Sequence, residues 1–139
     1  KYYVDKKIIK INLYESNNFN TGYEKIGCIN KSDLYVHVLG FGDFDKYFES
    51  KISKFTSYDK SLPLDNDKVI IGEDIANELN LKVGDKISIF YPSDINIATG
   101  FVTNKYFDIY GIYDVNFLDF NSNVITEINN LDIISKIKN

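Results

Sequence analysis

The sequence predicts an α+β fold: a mixed β-sheet with one or two short helices packed on it. Three observations predict it. Residues 68–92, KVIIGEDIANELNLKVGDKISIFYP, read as strand, helix, tight turn and strand in direct succession. Short runs of apolar–polar alternation, the period of a half-buried strand, recur on both sides of that unit. Helical spacing is confined to short stretches, so helices cover the sheet rather than form the core by themselves.

Taken in order, residues 4–15 set Ile9, Ile11 and Leu13 against Lys10, Asn12 and Tyr14, a strand with one wet face. Residues 16–22, SNNFNTG, are a loop by composition. Residues 23–29 make a second strand, ended by the turn formers of 30–33. Residues 34–39, LYVHVL, are rich in β-branched and aromatic side chains and make a third, which Gly40-Phe41-Gly42 breaks. Phe44, Tyr47, Phe48 and Ile52 fall at helical spacing within 43–55. Residues 56–67 form a polar connector holding Pro63.

In the central unit, Val69, Ile70 and Ile71 are a short apolar run, the pattern of a strand buried on both faces. Gly72 lets the chain turn into a helix. Glu73 and Asp74 occupy its first turn, where carboxylates favour the positive end of the helix dipole. Ile75, Ala76 and Leu79 share one face, and Asn80 is a left-handed C-cap with Leu81 and Val83 packing behind it. Gly84-Asp85 turns the chain, and Ile87, Ile89 and Tyr91 alternate with Lys86, Ser88 and Phe90. Residues 106–114, YFDIYGIYD, make a strand in which Gly111 marks a bulge or kink. Residues 115–123 form a loop anchored by Phe117, Leu118 and Phe120. Residues 124–128 are a short strand, and 131–137 begin a helix.

With 139 residues the chain fits one domain, or two small lobes sharing one. At 44% hydrophobic and 15% aromatic residues it is globular. No apolar run approaches the roughly 18 residues of a membrane span. With no signal peptide and a lysine at position 1, the chain reads as a piece of a longer protein. A net charge of −4 argues against nucleic acid and against an anionic membrane surface. Its sixteen basic residues are all lysine, which excludes sites built on the planar fork of arginine.

Catalytic chemistry finds little support. His37 is the only histidine and alternates onto the more exposed face of its strand. Cys28, the only cysteine, sits in a predicted strand and reads as a small buried hydrophobe. A zinc site has no ligand set, and nucleophile–base pairs face the same shortage. Asp119-Phe120-Asn121-Ser122-Asn123 carries the spacing of a calcium loop, but Val124 stands where glycine is needed and Asn130 where glutamate is. Asp43 and Asp45 read as solvated charges and a helix cap. No catalytic, cofactor-binding or metal-binding residue is therefore expected.

Residues 93–105, SDINIATGFVTNK, are too long for a simple hairpin turn. They hold Ile95, Ile97, Phe101 and Val102 between two strands. Either the loop projects and these residues form a contact surface, or it folds down over the core; the pattern leaves both open.

At this point the order of residues resembles a family. The central unit, a variable arm, YFDIYGIYD and then FLDFNSNVI are similar to the MacB-type periplasmic core domain of ABC-transporter permeases, most of all the lipoprotein-releasing permeases LolC and LolE. Ile70-Ile71-Gly72, Ala76, Leu79, Val83-Gly84-Asp85, Pro92, Phe107, Ile109, Gly111-Ile112 and Ser122-Asn123 carry the likeness. Residues 36–40 resemble an earlier strand of the same pattern, and the likeness spans about 34–128. Asn121 stands where the family has aspartate, and the arm lacks the prolines and basic residues of relatives.

The resemblance implies a two-lobed extracytoplasmic domain spanning 1–139, with 1–33 paired to the more β-rich lobe. It implies a bacterial inner-membrane permease whose domain faces the periplasm. A second permease subunit and a separate cytoplasmic ATPase would be its partners. The cargo would be a lipoprotein, handed to a soluble carrier resembling LolA. The arm would be a hook gripping that carrier, through Ile95, Ile97, Gly100, Phe101 and Val102. Two alternatives remain: a MacB- or FtsX-like permease domain in efflux or cell-envelope signalling, and a small β-barrel module of a soluble enzyme.

Overall fold

The computed structural model describes residues 9–12, 21–30, 32–115 and 120–132. In chain order these form β1 (Ile9–Asn12), β2 (Thr21–Ile29), β3 (Leu34–Phe41), α1 (Phe44–Tyr47), β4 (Thr56–Tyr58), β5 (Lys68–Gly72), α2 (Glu73–Leu79), β6 (Lys86–Phe90), β7 (Lys105–Tyr113) and β8 (Asn123–Glu127). The α+β class and the mixed sheet follow directly, because β3–β8 and β5–β7 pair parallel while the other neighbours pair antiparallel.

The sheet closes on itself. From β2 it runs through β3, β8, β5, β7 and β6, and β6 returns to β2 at Cys28↔Phe90 and Ile29↔Ile89. The result is a six-stranded barrel, and closure removes the open edges that a flat sheet would present. β1 extends β2 at 21–24, and β4 extends β7 at 111–113, beyond the reach of β6.

Alternation sorts the side chains. Val36, Val38, Val69, Ile71, Ile87, Ile89, Phe107, Ile109 and Val124 fill the barrel with Ile75 and Ala76 of α2. Leu39, Phe41, Ile70, Tyr110, Tyr113 and Ile125 point outward and are covered by Phe44, Tyr47, Phe48 and Ile52. β5 is therefore buried on both faces, as its unbroken apolar run predicts. Each fully buried valine or isoleucine contributes about 1.5–3 kcal/mol. Rings lock the outer layer: Phe41 stacks on Tyr47 at 3.9 Å, and Phe48 meets Tyr58 and Tyr110 edge-on at 4.9 and 5.7 Å.

The strand, helix and turn of the central unit form as their residues predict, although Gly72 has an ordinary extended backbone and serves a close approach rather than the turn. Asn80 takes the left-handed C-cap with φ 56°, and the Leu81 amide reaches back to the Ala76 carbonyl at 2.9 Å. Four expectations need correction. Residues 21–22 belong to β2, because Gly22 pairs with both Ile11 and Phe41. Gly40 and Phe41 continue β3 instead of breaking it. Gly40 pairs with Thr126, and a Cβ there would stand 2.8 Å from Leu131 Cδ1, so it serves a close approach. Residues 56–58 are a strand, recruited by the edge of β7 that β6 leaves uncovered. The 43–55 helix forms as one α-turn, a wider π-helical turn at Phe48–Ile52 and a tight 3₁₀ turn at Ser53–Phe55. Ser50 and Ser53 hydroxyls donate to the Lys46 and Glu49 carbonyls four residues back, a competition with the backbone that bends helices.

A bulge in β7 falls within the tyrosine-rich run, next to Gly111. Val69 pairs with Ile109 but Ile70 with Gly111, so Tyr110 is the extra residue. The 128–131 segment is a 3₁₀ turn, and the helix expected at 131–137 falls almost wholly outside the described residues. Phe117 and Leu118 also lie outside them, as do most of residues 4–20.

Candidate functional site

The arm leaves β6 at Tyr91 and returns at Lys105. Pro92 opens a single 3₁₀ turn over Pro92–Asp94, where its missing N–H costs nothing. The β6–β7 ladder ends at Ile89↔Lys105, so no strand ladder runs along the arm. An extended edge able to add strand to strand is therefore not formed here. The arm closes instead as a compact knob. The Asn96 amide donates to the Phe101 carbonyl at 2.8 Å, and the Gly100 amide to the Asn96 carbonyl at 2.7 Å. Asn96 Oδ1 accepts from the Ala98 and Thr99 amides at 2.9 and 3.2 Å, an Asx-turn that satisfies the backbone inside the loop. Gly100 sits at φ +74°, the left-handed region where a side chain is strained.

This self-bonding turns the apolar residues outward. Ile97 is 90% exposed, Phe101 76% and Ile95 44%, while Val102 is half-buried. Residues 95–104 contain no charge in a chain that is 26% charged. Of the two orientations the sequence leaves open, the arm takes the projecting one. Ile95, Ile97, Gly100 and Phe101 are all exposed on the knob, and Val102 is half-buried.

The roots of the arm are held by residues that sequence reading missed. Lys25 lies inward in β2 and is 1% exposed. Its ammonium donates to Asp94 Oδ2 and to the Leu131 carbonyl, both at 2.7 Å, and lies 4.5 Å from the centre of the Tyr91 ring. A buried ammonium is tolerated because it is paired and hydrogen-bonded. Lys105 reaches Asp132 Oδ1 at 2.9 Å. The Tyr91 hydroxyl donates to the Asn130 carbonyl at 2.7 Å, and burial pushes its phenol well above the usual range. Alternation was the available signal: Lys25 shares its strand face with Tyr23, Gly27 and Ile29. Gly27 makes room there, since a Cβ would stand 2.8 Å from Ile89 Cγ2 and 3.4 Å from the Tyr91 ring.

Other chemistry-bearing groups are scattered. His37 is exposed on the outer face of β3, where Glu24 bonds its Nδ1. Cys28 is buried, and burial pushes its thiol up. Glu73 lies against Asp114, whose hydrogen bond and then charge hold the Glu73 carboxyl above its ordinary value; Asn121 and Ser122 bond Asp114 and Asp74. Val124, at the glycine position of the calcium-loop spacing, is fully buried in β8. Among the described residues no group of three or more His, Cys, Asp or Glu is arranged to hold a metal ion. A cleft of about 560 Å³ lined by Ile29, Leu79, Leu81, Ile87 and Tyr106 opens beside α2. No helix among the described residues is long and apolar enough to cross a membrane. No protein-family model matches the chain, and no curated protein matches it.

Proposed function

We propose that this chain is the extracytoplasmic domain of an ABC-transporter permease of the lipoprotein-releasing type. In this reading it is a non-catalytic docking module of the bacterial inner membrane, facing the periplasm. ATP hydrolysis is left to a separate cytoplasmic ATPase, and a second permease subunit completes the transporter. The lipoprotein cargo passes to a soluble carrier that the arm holds.

The observation that carries the reading is the uncharged knob of Ile95, Ile97 and Phe101, held off the barrel between two strands. Apolar side chains in such a place lose contact with water only when a partner covers them. A knob of this shape suits insertion into an apolar groove of the carrier. Support also comes from where the matching residues lie. Ile70-Ile71-Gly72, Ala76, Leu79 and Val83-Gly84-Asp85 form the strand, helix and turn before the arm. Phe107, Ile109 and Gly111-Ile112 form the strand after it. The test is capture of a LolA-like carrier by wild type, Ile97→Asp and Phe101→Asp. Wild type retains the carrier and both variants lose it; equal capture by all three removes the arm from the mechanism.

The closed six-stranded barrel favours a second reading, a small β-barrel module of a soluble enzyme, since closure supplies a self-sufficient core. A hydrophobic span flanking this domain in the full-length protein decides for the permease, and its lack decides for the module. An efflux or envelope-signalling permease shares the fold and differs in cargo. Carrier capture separates it from the lipoprotein-releasing type.

A further inference from the structure

We infer that Lys25, Asp94, Lys105 and Asp132 form a brace that positions the arm, with Lys25 as its central positioning residue. The inference rests on the reading of the arm as a docking element and says what aims it.

Both roots of the arm are tied to one short stretch. Lys25 joins Asp94, at the outgoing root, to the Leu131 carbonyl. Lys105, at the returning root, pairs with Asp132. Tyr91, where the arm departs, bonds the Asn130 carbonyl. Three consecutive residues, 130–132, thus hold three points flanking the arm. That stretch is itself fixed. The Asn130 side chain donates from Nδ2 to the Asn66 carbonyl at 2.7 Å and to Thr126 Oγ1 at 2.8 Å, and Leu131 is fully buried in the barrel against Gly40.

The tip, by contrast, is bonded within itself through Asn96, Thr99 and Gly100. It can therefore move as one unit about its roots. Charged bonds out of water keep their direction better than solvated ones, because few competing donors or acceptors reach them. Of the two ion pairs the inner one is the more shielded, with the ammonium 1% exposed. Asp132 is exposed, so its pair is the weaker strut. Aiming a rigid knob in advance lowers the ordering cost of docking, which is how a residue far from the contact affects affinity.

The test uses spin labels at Ala98→Cys on the knob and Asn77→Cys on the exposed face of α2, in a Cys28→Ala background, with distances read by double electron–electron resonance. A second pair, Asn77→Cys with Ser57→Cys, reports on the barrel alone. In otherwise unchanged protein the arm distance is a single narrow distribution. Lys25→Met widens it at least about twofold and leaves the barrel pair unchanged, and Asp132→Asn widens it less. Lys25→Arg, which keeps the charge, restores most of the narrow distribution. An unchanged arm distribution in folded Lys25→Met overturns the brace. Should Lys25→Met fail to fold, Asp132→Asn decides alone: widening supports the brace and no change overturns it. The readout needs no partner, so it is independent of whether the carrier is captured.

Discussion

Gly72 lies directly against the backbone of Asn121: a Cβ on Gly72 would stand 1.9 Å from the Asn121 carbonyl oxygen and 2.2 Å from its carbon. The Gly72 backbone is ordinary, with φ −72° and ψ 154°, so the glycine is not needed for the turn itself. It is needed so that the start of α2 can seat on the 3₁₀ turn Phe120–Ser122, where Asn121 in turn bonds the Val115 amide at 2.9 Å.

Gly72→Ala should therefore destabilise the domain by at least about 3 kcal/mol, because the obstructing atoms are backbone and cannot rotate away. Urea unfolding followed by far-UV circular dichroism measures this. A loss under about 1 kcal/mol would show that α2 and the turn shift apart freely.

Ile97→Ser and Phe101→Ser should each change stability by no more than about 0.5 kcal/mol, since both side chains already face water. Thermal unfolding with matched wild-type and variant midpoints is the expected result. A marked loss would mean that the knob packs on the domain in solution.

Asn96→Ala removes the acceptor for the Ala98 and Thr99 amides. A bond of this kind contributes about 1 kcal/mol. Hydrogen exchange at Ala98 and Thr99 should accelerate about fivefold while barrel amides such as Ile71 keep their protection. Equal acceleration everywhere would place Asn96 in the global fold rather than in the arm.

Glu73 gives a pH dependence with a definite sign. Its carboxyl is held above 4.5 by Asp114, first through their hydrogen bond and then through repulsion, with Asp74 adding to it. The folded state thus holds this proton more tightly than the unfolded chain. The linked stability is present below the unfolded pKa and is lost as pH rises through the raised folded value. Glu73→Gln removes the titration. The variant's melting temperature relative to wild type should therefore be higher at pH 7 than at pH 4. Scanning calorimetry at both values measures it, and a difference that grows on acidification contradicts the pairing.

Much of the fold was legible in local patterns. The unbroken apolar run Val69-Ile70-Ile71 announced a strand buried on both faces, and Asn80 announced the helix end. The alternation of Ile87, Ile89 and Tyr91 assigned the inward face of β6. Each of these depends on residues a few positions apart. Short-range chemistry misled where a distant partner decided the outcome. Gly40 and Phe41 read as a breaker until Thr126 and Leu131 supply the ladder and the close contact that only glycine admits. Thr56-Ser57-Tyr58 read as connector until β7 offers a free edge.

The candidate site divides the same way. The uncharged run from Ile95 to Asn104 is a property of the chain, and so is the Asn-Gly chemistry that closes the knob. Whether the knob projects, and what holds it, was decided in three dimensions. Lys25 and Asp94 are 69 residues apart, and Lys25 and Leu131 are 106 apart. Barrel closure brings them within hydrogen-bond reach, and no periodicity in the sequence encodes that meeting. A charge inside a barrel is stable only beside its partner, and which partner is near follows from strand register rather than from neighbouring residues.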